Sequence, residues 1–270
     1  MNHRSRLARS LLLALGALAS PIAGTSSAAP PTAAEIAKRS LDAYYAAGSD
    51  LRARVSMRIV NAQGGERKRE LVMLRKNRGS AGAQRYYLYF HTPPDVKGTA
   101  FLVWKYPSRD DDRWIYIPAI KLVRRIAASD RRSSFVGSDF TYEDISGRDV
   151  ADETHTLVRH EAIGGRDCYV LESVPTGKAD YAKRVSWVDA ERWLPIQEKY
   201  LDARGREIRV FTADKVEEIG GHWTATQRTM RTLASGQRTE VSFSEVSYDR
   251  NLPESLFTER SLSEPPGLVR

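Results

Sequence analysis

Apolar and polar residues alternate with a period of two along much of the chain, and this alternation constrains the fold more than any other feature. Over residues 51–59, Leu, Ala, Val, Met and Ile alternate with Arg and Ser, which places the apolar groups on one face of a strand. Residues 61–65 are typical of a turn, and residues 66–75 return as the second strand of a hairpin. The same strand character recurs over residues 84–90, 99–106, 113–117, 122–126, 154–163, 167–174, 183–189, 194–201, 207–212, 222–233 and 237–248. The short connections between these segments predict an antiparallel, mainly β (α+β) fold.

One helix is predicted before the strands. Thr32 and Glu35 have the spacing of a capping box, in which both side chains accept hydrogen bonds from free backbone N–H groups. Apolar residues then recur at steps of three and four from Ala33 to Tyr44, and Gly48 is a plausible stop. The helix therefore has one apolar face, which must be buried.

Residues 1–28 have the composition of a signal peptide. Basic residues precede an apolar stretch at residues 11–19, which is too short to span a bilayer, and small residues predict cleavage near Ala28. The alternative, an N-terminal membrane anchor, needs a longer apolar run. No Gly-, Ser- or Pro-rich linker interrupts residues 29–270, so we expect one exported domain there.

The net charge indicates which partners the protein could bind, and the cysteine count shows whether a disulfide is available. The formal net charge of +8 favours anionic surfaces such as phospholipid headgroups, although a solubilising charge without any partner is an equal alternative. Export argues against nucleic acid. The single cysteine, Cys168, excludes an internal disulfide and is interpreted as a small buried apolar residue.

The strand pattern lapses between residues 127 and 145. In this interval Ser138 is predicted to cap a short helical turn that runs through Glu143 and carries Phe140. Such a segment is interpreted either as a lid over a cavity or as a loop that plugs one end of a barrel.

The order of several short segments along the chain resembles that of a known family. The strand Arg-Trp-Ile-Tyr-Ile-Pro at 113–118 leads through the basic run at 121–126 to Gly-Ser-Asp-Phe-Thr-Tyr-Glu-Asp at 137–144. The chain ends with a last strand at 241–248 and a short turn at 251–258. This order resembles the outer membrane lipoprotein-sorting proteins of the LolA/LolB-like superfamily. The resemblance implies a periplasmic carrier, built as a half-open antiparallel β-barrel with a covering N-terminal helix and a short helical lid or plug.

A carrier of this kind hides acyl chains from water, and each buried methylene is worth about 0.8 kcal/mol. The resemblance then implies cavity residues on the early strands and lid residues in the interruption. The cavity candidates are Val55, Met57, Ile59, Leu71, Met73, Tyr87, Tyr89, Phe101, Val103 and Trp114, and the lid candidates are Phe135, Phe140 and Tyr142. The alternative for each of these residues is that it fills a dry core.

The partners that the resemblance implies are a lipoprotein or lipid cargo, the outer membrane surface and an inner-membrane transporter, with the protein itself a monomer. The chain resembles the subgroup found with RND-type lipid exporters, so the cargo is open between a lipoprotein and a free lipid. Two alternatives keep the same fold: a periplasmic sensor of lipid or lipoprotein, and an accessory subunit of such an exporter.

An enzyme is the hypothesis from another class, and no catalytic motif supports it. The sequence lacks a Gly-x-Ser-x-Gly elbow and a His-Glu-x-x-His metal motif. His155 and His160 are five residues apart on a predicted strand, which points them to opposite faces. Asp110–Asp112 are interpreted as a solvated loop, and Glu143 with Asp144 as a cap or as partners of Arg124 or Arg125. We therefore expect no enzyme activity, no metal and no cofactor.

Overall fold

Thirteen antiparallel strands form one open sheet. The computed structural model describes residues 29–79, 82–107 and 109–270, so the predicted signal peptide lies outside the described residues. The strands are β1 Asp50–Val60, β2 Glu66–Arg78, β3 Ala83–Thr92, β4 Ala100–Lys105, β5 Asp112–Ile117, β6 Leu122–Ile126, β7 Glu153–Ile163, β8 Arg166–Pro175, β9 Lys183–Asp189, β10 Pro195–Leu201, β11 Glu207–Ile219, β12 His222–Thr232 and β13 Gln237–Tyr248. The helices are α1 Ala33–Tyr45, α2 Tyr142–Ser146 and α3 Arg260–Ser263.

The strand order explains how the sheet is built. It runs β6-β5-β4-β3-β2-β1-β13-β12-β11-β10-β9-β8-β7, so nearly all neighbours are joined by short connections. The exception is the pair β1–β13, which joins the first and last strands and holds the two halves of the sheet together. Since β6 and β7 are the free edges, the sheet is not closed. The predicted mainly β, half-open architecture is confirmed.

The two faces of the sheet bury different clusters. The inner face carries Val55 and Leu71, which belong to the largest apolar cluster together with Phe135 and Phe140. The outer face carries Val72 and Leu74 and is covered by the C-terminal segment from Leu252 to Val269. Period-two alternation produces this division, because paired residues of adjacent strands point to the same face.

Helix α1 lies across the β7–β9 end of the inner face. The predicted capping box is present: Glu35 N–H donates to Thr32 Oγ1 at 3.3 Å, and Thr32 N–H donates to Glu35 Oε2 at 2.7 Å. Ile36 is fully buried against Leu171 and Val188, as the apolar stripe requires. The helix ends at Tyr45, three residues before the predicted stop.

Side chains of β2 and β3 cap the C-terminal end of α1 by donating hydrogen bonds to its last carbonyl groups. Arg75 Nη1 donates to the carbonyl oxygen of Tyr45 at 2.5 Å, and Gln84 Nε2 donates to the same oxygen at 2.7 Å. Asn77 Nδ2 donates to the carbonyls of Ala46 and Gly48 at 2.8 and 2.7 Å. These bonds satisfy carbonyls that have no partner within the helix, and they fix α1 over the sheet.

The interruption between β6 and β7 folds back onto the inner face and contains α2. Thr141, not Ser138, caps this helix: Asp144 N–H donates to Thr141 Oγ1 at 3.2 Å, and Thr141 N–H donates to Asp144 Oδ2 at 2.7 Å. The prediction that Ser138 is the cap is therefore wrong. Ser138 Oγ instead donates to the carbonyl of Phe135 at 2.7 Å and stabilises the turn before the helix.

Candidate functional site

An apolar cleft separates the middle of the inner face from α1 and the α2 segment. It encloses about 870 Å³ of space not occupied by atoms, part of which is open to solvent. Strands β1, β2, β3, β12 and β13 form its floor. The lining side chains are Tyr44, Tyr45, Leu51, Val55, Met57, Leu71, Met73, Arg75, Tyr86, Leu88, Phe135, Phe140, Asp144, Ile145, Thr224, Arg228, Val241, Phe243, Val246 and Tyr248.

The segment before α2 forms one wall of the cleft and is packed by aromatic contacts. The ring of Phe135 lies 5.3 Å from that of Phe101, 5.6 Å from that of Tyr142 and 6.0 Å from that of Phe90, measured between centroids. Phe135 is 1% exposed and reaches the cleft together with Phe140. We call residues 133–146 the cover segment.

Buried hydrogen bonds between Asp139 and Thr239 attach the cover segment to β13. Asp139 N–H donates to Thr239 Oγ1 at 3.0 Å, and Thr239 Oγ1 donates to Asp139 Oδ2 at 2.7 Å. Both residues are buried, so water does not compete strongly for these bonds. The rest of the segment is held by the aromatic contacts and, within α2, by ion pairs of Glu143 and Asp144.

A second and more polar cavity adjoins the apolar cleft at the β7–β11 end of the inner face. Tyr44, Tyr45, Phe140 and Asp144 line both cavities. In the polar cavity Arg184 pairs with Glu153 and Glu198 at 2.5 and 2.6 Å. Tyr200 Oη donates to Glu198 at 2.8 Å, and Tyr181 Oη donates to Glu153 at 2.5 Å. The inner face is thus apolar in its first half and ionic in its second.

The buried charges of this region are balanced by their partners. Burial works to raise the pKa of Glu153, but Arg184 and the hydroxyl of Tyr181 outweigh it, so the pKa is lowered and the carboxylate is charged. Burial raises the pKa of Glu143, although Arg148 and Arg131 oppose that shift. This ionic region is not suited to a hydrocarbon chain, which leaves the apolar cleft as the candidate lipid site.

Most of the predicted cavity residues lie on the inner face. Val55, Met57, Leu71 and Met73 line the cleft itself. Phe101 and Val103 belong to the same apolar cluster behind the cleft. Ile59 is 1% exposed and does not line the cleft, because it lies further along β1 beside Thr239.

Three predicted cavity residues lie on the opposite side of the sheet. Tyr87, Tyr89 and Trp114 pack against the outer cluster and the C-terminal segment, so their assignment to the cavity is corrected. Residues 86–90 are apolar on both faces, and alternation alone therefore does not show which face is inner. The predicted lid residues Phe135 and Phe140 line the cleft, and Tyr142 packs on Phe101 at 5.3 Å behind it.

Several cleft residues were missed by the sequence reasoning. Val241 and Phe243 reach the cleft because β13 pairs with β1, with Met57 opposite Val241 and Val55 opposite Phe243. Arg228 reaches it because β12 pairs with β13. The alternation of residues 241–243 was a usable signal, but the pairing of the first strand with the last depends on contacts distant in sequence.

The residues weighed for catalysis have structural partners. Asp110 lies in an exposed loop, as predicted, and pairs with Arg131. Asp111 and Asp112 are instead largely shielded from solvent and form ion pairs with nearby arginines. Glu143 pairs with Arg131 at 3.0 Å and with Arg148, and Asp144 pairs with Arg209 at 2.5 Å; the predicted partners Arg124 and Arg125 do not contact them. Cys168 is fully buried, and burial raises the pKa of its thiol to about 11.

The prediction for the two histidines of β7 is also corrected. A bulge between Leu157 and Arg159 shifts the register, so His155 and His160 point to the same face. They remain apart, since His155 bonds with Ser173 at 2.8 Å whereas His160 packs on Tyr169 at 4.7 Å. Within residues 29–79, 82–107 and 109–270, no group of three or more His, Cys, Asp or Glu side chains is placed to hold a metal ion.

The open sheet, the covering helix and the cover segment define the LolA-like fold. A LolA superfamily protein from Nitrosomonas europaea is similar in fold, with a TM-score of 0.68 and 21% identity over 86% of this chain and 99% of that one. A Vibrio parahaemolyticus domain, provisionally described as an outer membrane lipoprotein-sorting protein, has a TM-score of 0.79 and 29% identity over 86% and 98%.

The family follows from a further match. A DUF1329 family protein from Desulfovibrio piger has a TM-score of 0.79 and 32% identity over 85% of this chain and 97% of that one. A family model described as "-like: Uncharacterized protein" matches residues 82–264. The chain belongs to the DUF1329 family. No curated protein matches it in sequence. In the described part of the chain, no helix has the length and apolar character to cross a membrane.

Proposed function

We propose that this protein is a periplasmic carrier that holds the acyl chain of a lipid or lipoprotein in the apolar cleft. The observation that carries the proposal is the cleft itself, an apolar space between the sheet and the cover segment. The similarity to the Vibrio parahaemolyticus domain supports a role in lipoprotein sorting. In this proposal residues 1–28 are the signal peptide, residues 29–270 act as one domain, and the protein performs no catalysis.

A carrier must also let its cargo enter and leave. Residues 133–140 of the cover segment are suited to this, because they are attached chiefly by the Asp139–Thr239 bonds and by contacts of Phe135 that a hydrocarbon chain is able to replace. Helix α2, which follows them, is anchored by ion pairs of Glu143 and Asp144. Helix α1 is likewise fixed by the side chains of Arg75, Asn77 and Gln84. We therefore propose that residues 133–140 move and that α1 and α2 do not.

Delivery requires contact with a membrane, and the hairpin formed by residues 117–126 is suited to it. Ile120, Leu122 and Val123 are 63%, 45% and 38% exposed. The other large apolar residues exposed in the described chain, Val158, Val174, Leu233 and Leu268, are separated from one another in sequence. Lys121 and Arg124 lie beside the apolar group and have no ion pair within the described residues. We propose that this hairpin contacts anionic lipid headgroups.

Mass spectrometry of lipid extracted from protein purified out of the periplasm tests the carrier proposal. We expect a lipid or acylated species to accompany the wild-type protein. Val246→Trp, which fills the cleft, should lose it, whereas Val185→Trp, a half-buried valine of the outer face, should keep it. A wild-type protein that carries no acyl species, either as purified or after incubation with membranes, would contradict the proposal.

The alternative functions are separated from carriage by a transfer measurement. A carrier delivers labelled lipid from donor to acceptor vesicles, while a sensor or an exporter subunit retains its lipid in a stable complex with a protein partner. Transfer by the isolated protein, at a rate that rises with its concentration, supports carriage.

A further inference from the structure

The polar groups that face the apolar cleft are few, and one of them is unlike the rest. Apart from tyrosine hydroxyls and Thr224, the lining contributes three charged side chains: Arg75, Asp144 and Arg228. Asp144 is paired with Arg209 at 2.5 Å. Arg75 donates to the carbonyls that end α1. Both of these charges are therefore used by the fold.

Arg228 is held in place without a carboxylate partner. Its Nε donates to the carbonyl of Ala225 at 2.8 Å, and its guanidinium carbon lies 4.3 Å from the ring centroid of Tyr44 and 4.2 Å from that of Phe243. Two aromatic faces thus fix the side chain, and the Tyr44 hydroxyl also lies within its reach. Within the described chain it forms no ion pair.

Two other arginines of the inner face show the contrast. Arg184 is paired with Glu153 and Glu198, and Arg209 with Asp144 and Asp180. Each of these guanidinium groups is neutralised by two carboxylates, as is usual for a charge that has lost most of its water. A cation that is positioned by aromatic rings at an apolar cleft, and is not neutralised there, is arranged to receive an anion from outside the chain.

We propose that the cleft binds amphiphiles with a negatively charged head, and that Arg228 binds the carboxylate or phosphate of that head while the hydrocarbon chain lies along Val55 and Leu71. The inference rests on the proposed lipid-binding function and adds the class of ligand and its orientation. Arg228 forms the charged end of the site, and the apolar side chains of β1 and β2 form the hydrocarbon end.

Binding of three single-chain ligands of equal length tests the proposal. The ligands are dodecanoate, dodecyl phosphate and uncharged monododecanoylglycerol, each titrated by calorimetry below its micelle concentration. We expect the wild-type protein to bind the two anions at least tenfold more tightly than the uncharged ligand, a difference of about 1.4 kcal/mol. The carboxylate and phosphate arms separate a fatty-acid-like head from a phospholipid-like head.

Substitutions of Arg228 test whether this side chain causes the preference for anionic ligands. Arg228→Gln should abolish it while leaving the affinity for monododecanoylglycerol unchanged, and that unchanged affinity shows that the cleft is still folded. Arg228→Lys should restore part of it. The control is Arg192→Gln, since Arg192 also lies over an aromatic ring, Trp223 at 4.5 Å, but is paired with Asp189 and does not line the cleft.

The outcomes separate this inference from the proposed function. A wild-type protein that binds charged and uncharged ligands equally, or an Arg228→Gln variant that keeps the preference, would overturn the role of Arg228 and leave lipid binding intact. If none of the three ligands binds, the proposed function itself fails.

Discussion

A pair of valine substitutions distinguishes an open cleft from a packed interior. Val55 and Val72 lie on the paired strands β1 and β2, and their side chains point to opposite faces of the sheet. Both are buried, with 6% and 2% exposure. Val55 lines the cleft, whereas Val72 belongs to the closed outer cluster with Leu74 and Tyr87. Replacement of each by Phe adds the same volume to two different environments.

The expected stability costs differ because only one site has space. Overpacking of a closed cluster costs roughly 1–3 kcal/mol, and we expect Val72→Phe to lower the free energy of unfolding by that amount. At Val55 the new ring enters unoccupied space and buries additional apolar area, so we expect a change within about 1 kcal/mol of zero. Urea unfolding measures both values by linear extrapolation, provided that the slopes agree.

Ligand binding should show the reverse order. The phenyl ring introduced by Val55→Phe takes the place of two or three methylenes of the bound chain, each worth about 0.8 kcal/mol. The binding free energy of a long-chain ligand should therefore weaken by about 2 kcal/mol. That loss is roughly thirtyfold in the dissociation constant. Val72→Phe should bind as the wild-type protein does. Equal stability costs at the two sites, together with unchanged binding in Val55→Phe, would refute the existence of a usable cleft.

Three further predictions concern the hairpin, the cover segment and the acid limb of stability. Ile120→Ser should reduce sedimentation of the protein with phosphatidylglycerol vesicles, while Val174→Ser, at an exposed apolar residue outside the hairpin, should not; equal sedimentation of the two variants would count against the hairpin. Thr141→Ala should cost about 1 kcal/mol through loss of the cap and should speed amide exchange in the cover segment, and unchanged exchange would refute the role of the cap. Bonds from Ser49, chiefly its backbone N–H, lower the pKa of Asp249 from 3.8 to about 2. Because the folded-state pKa is depressed, Asp249 adds stability above pH 4, and this stability is lost as the pH falls towards 2. The difference in unfolding free energy between wild type and Asp249→Asn should therefore disappear over that range, which unfolding measured at a series of acidic pH values would show.

Local signals in the sequence predicted most elements of this fold. The capping box of Thr32 and Glu35 is contained in four residues and was predicted correctly, since it depends on no distant contact. Strands β9 and β13 begin and end where the alternation of residues 183–189 and 237–248 does. Lengths and boundaries of this kind follow from side-chain periodicity, which is a property of the segment itself.

The parts that could not be predicted depend on contacts between distant segments. The cap of α2 is an exception, because Thr141 and Asp144 have the spacing of a capping box, a local signal that the prediction of Ser138 overlooked. Trp114 pairs with Leu102 on the outer face, which a sequence of mixed aromatic and aliphatic residues does not reveal. Arg228 lies at the cleft because β12 pairs with β13 and β13 with β1, and these pairings join segments that are distant in sequence.

The position of a heavy atom on a bound chain tests the central claim most directly. Crystals of the wild-type protein with 12-bromododecanoic acid, measured at the bromine absorption edge, locate the end of the hydrocarbon chain. The account predicts an anomalous peak in the cleft beside Val55 and Leu71, with the carboxylate at Arg228. A peak found only outside the cleft, or none at saturating ligand, would contradict it.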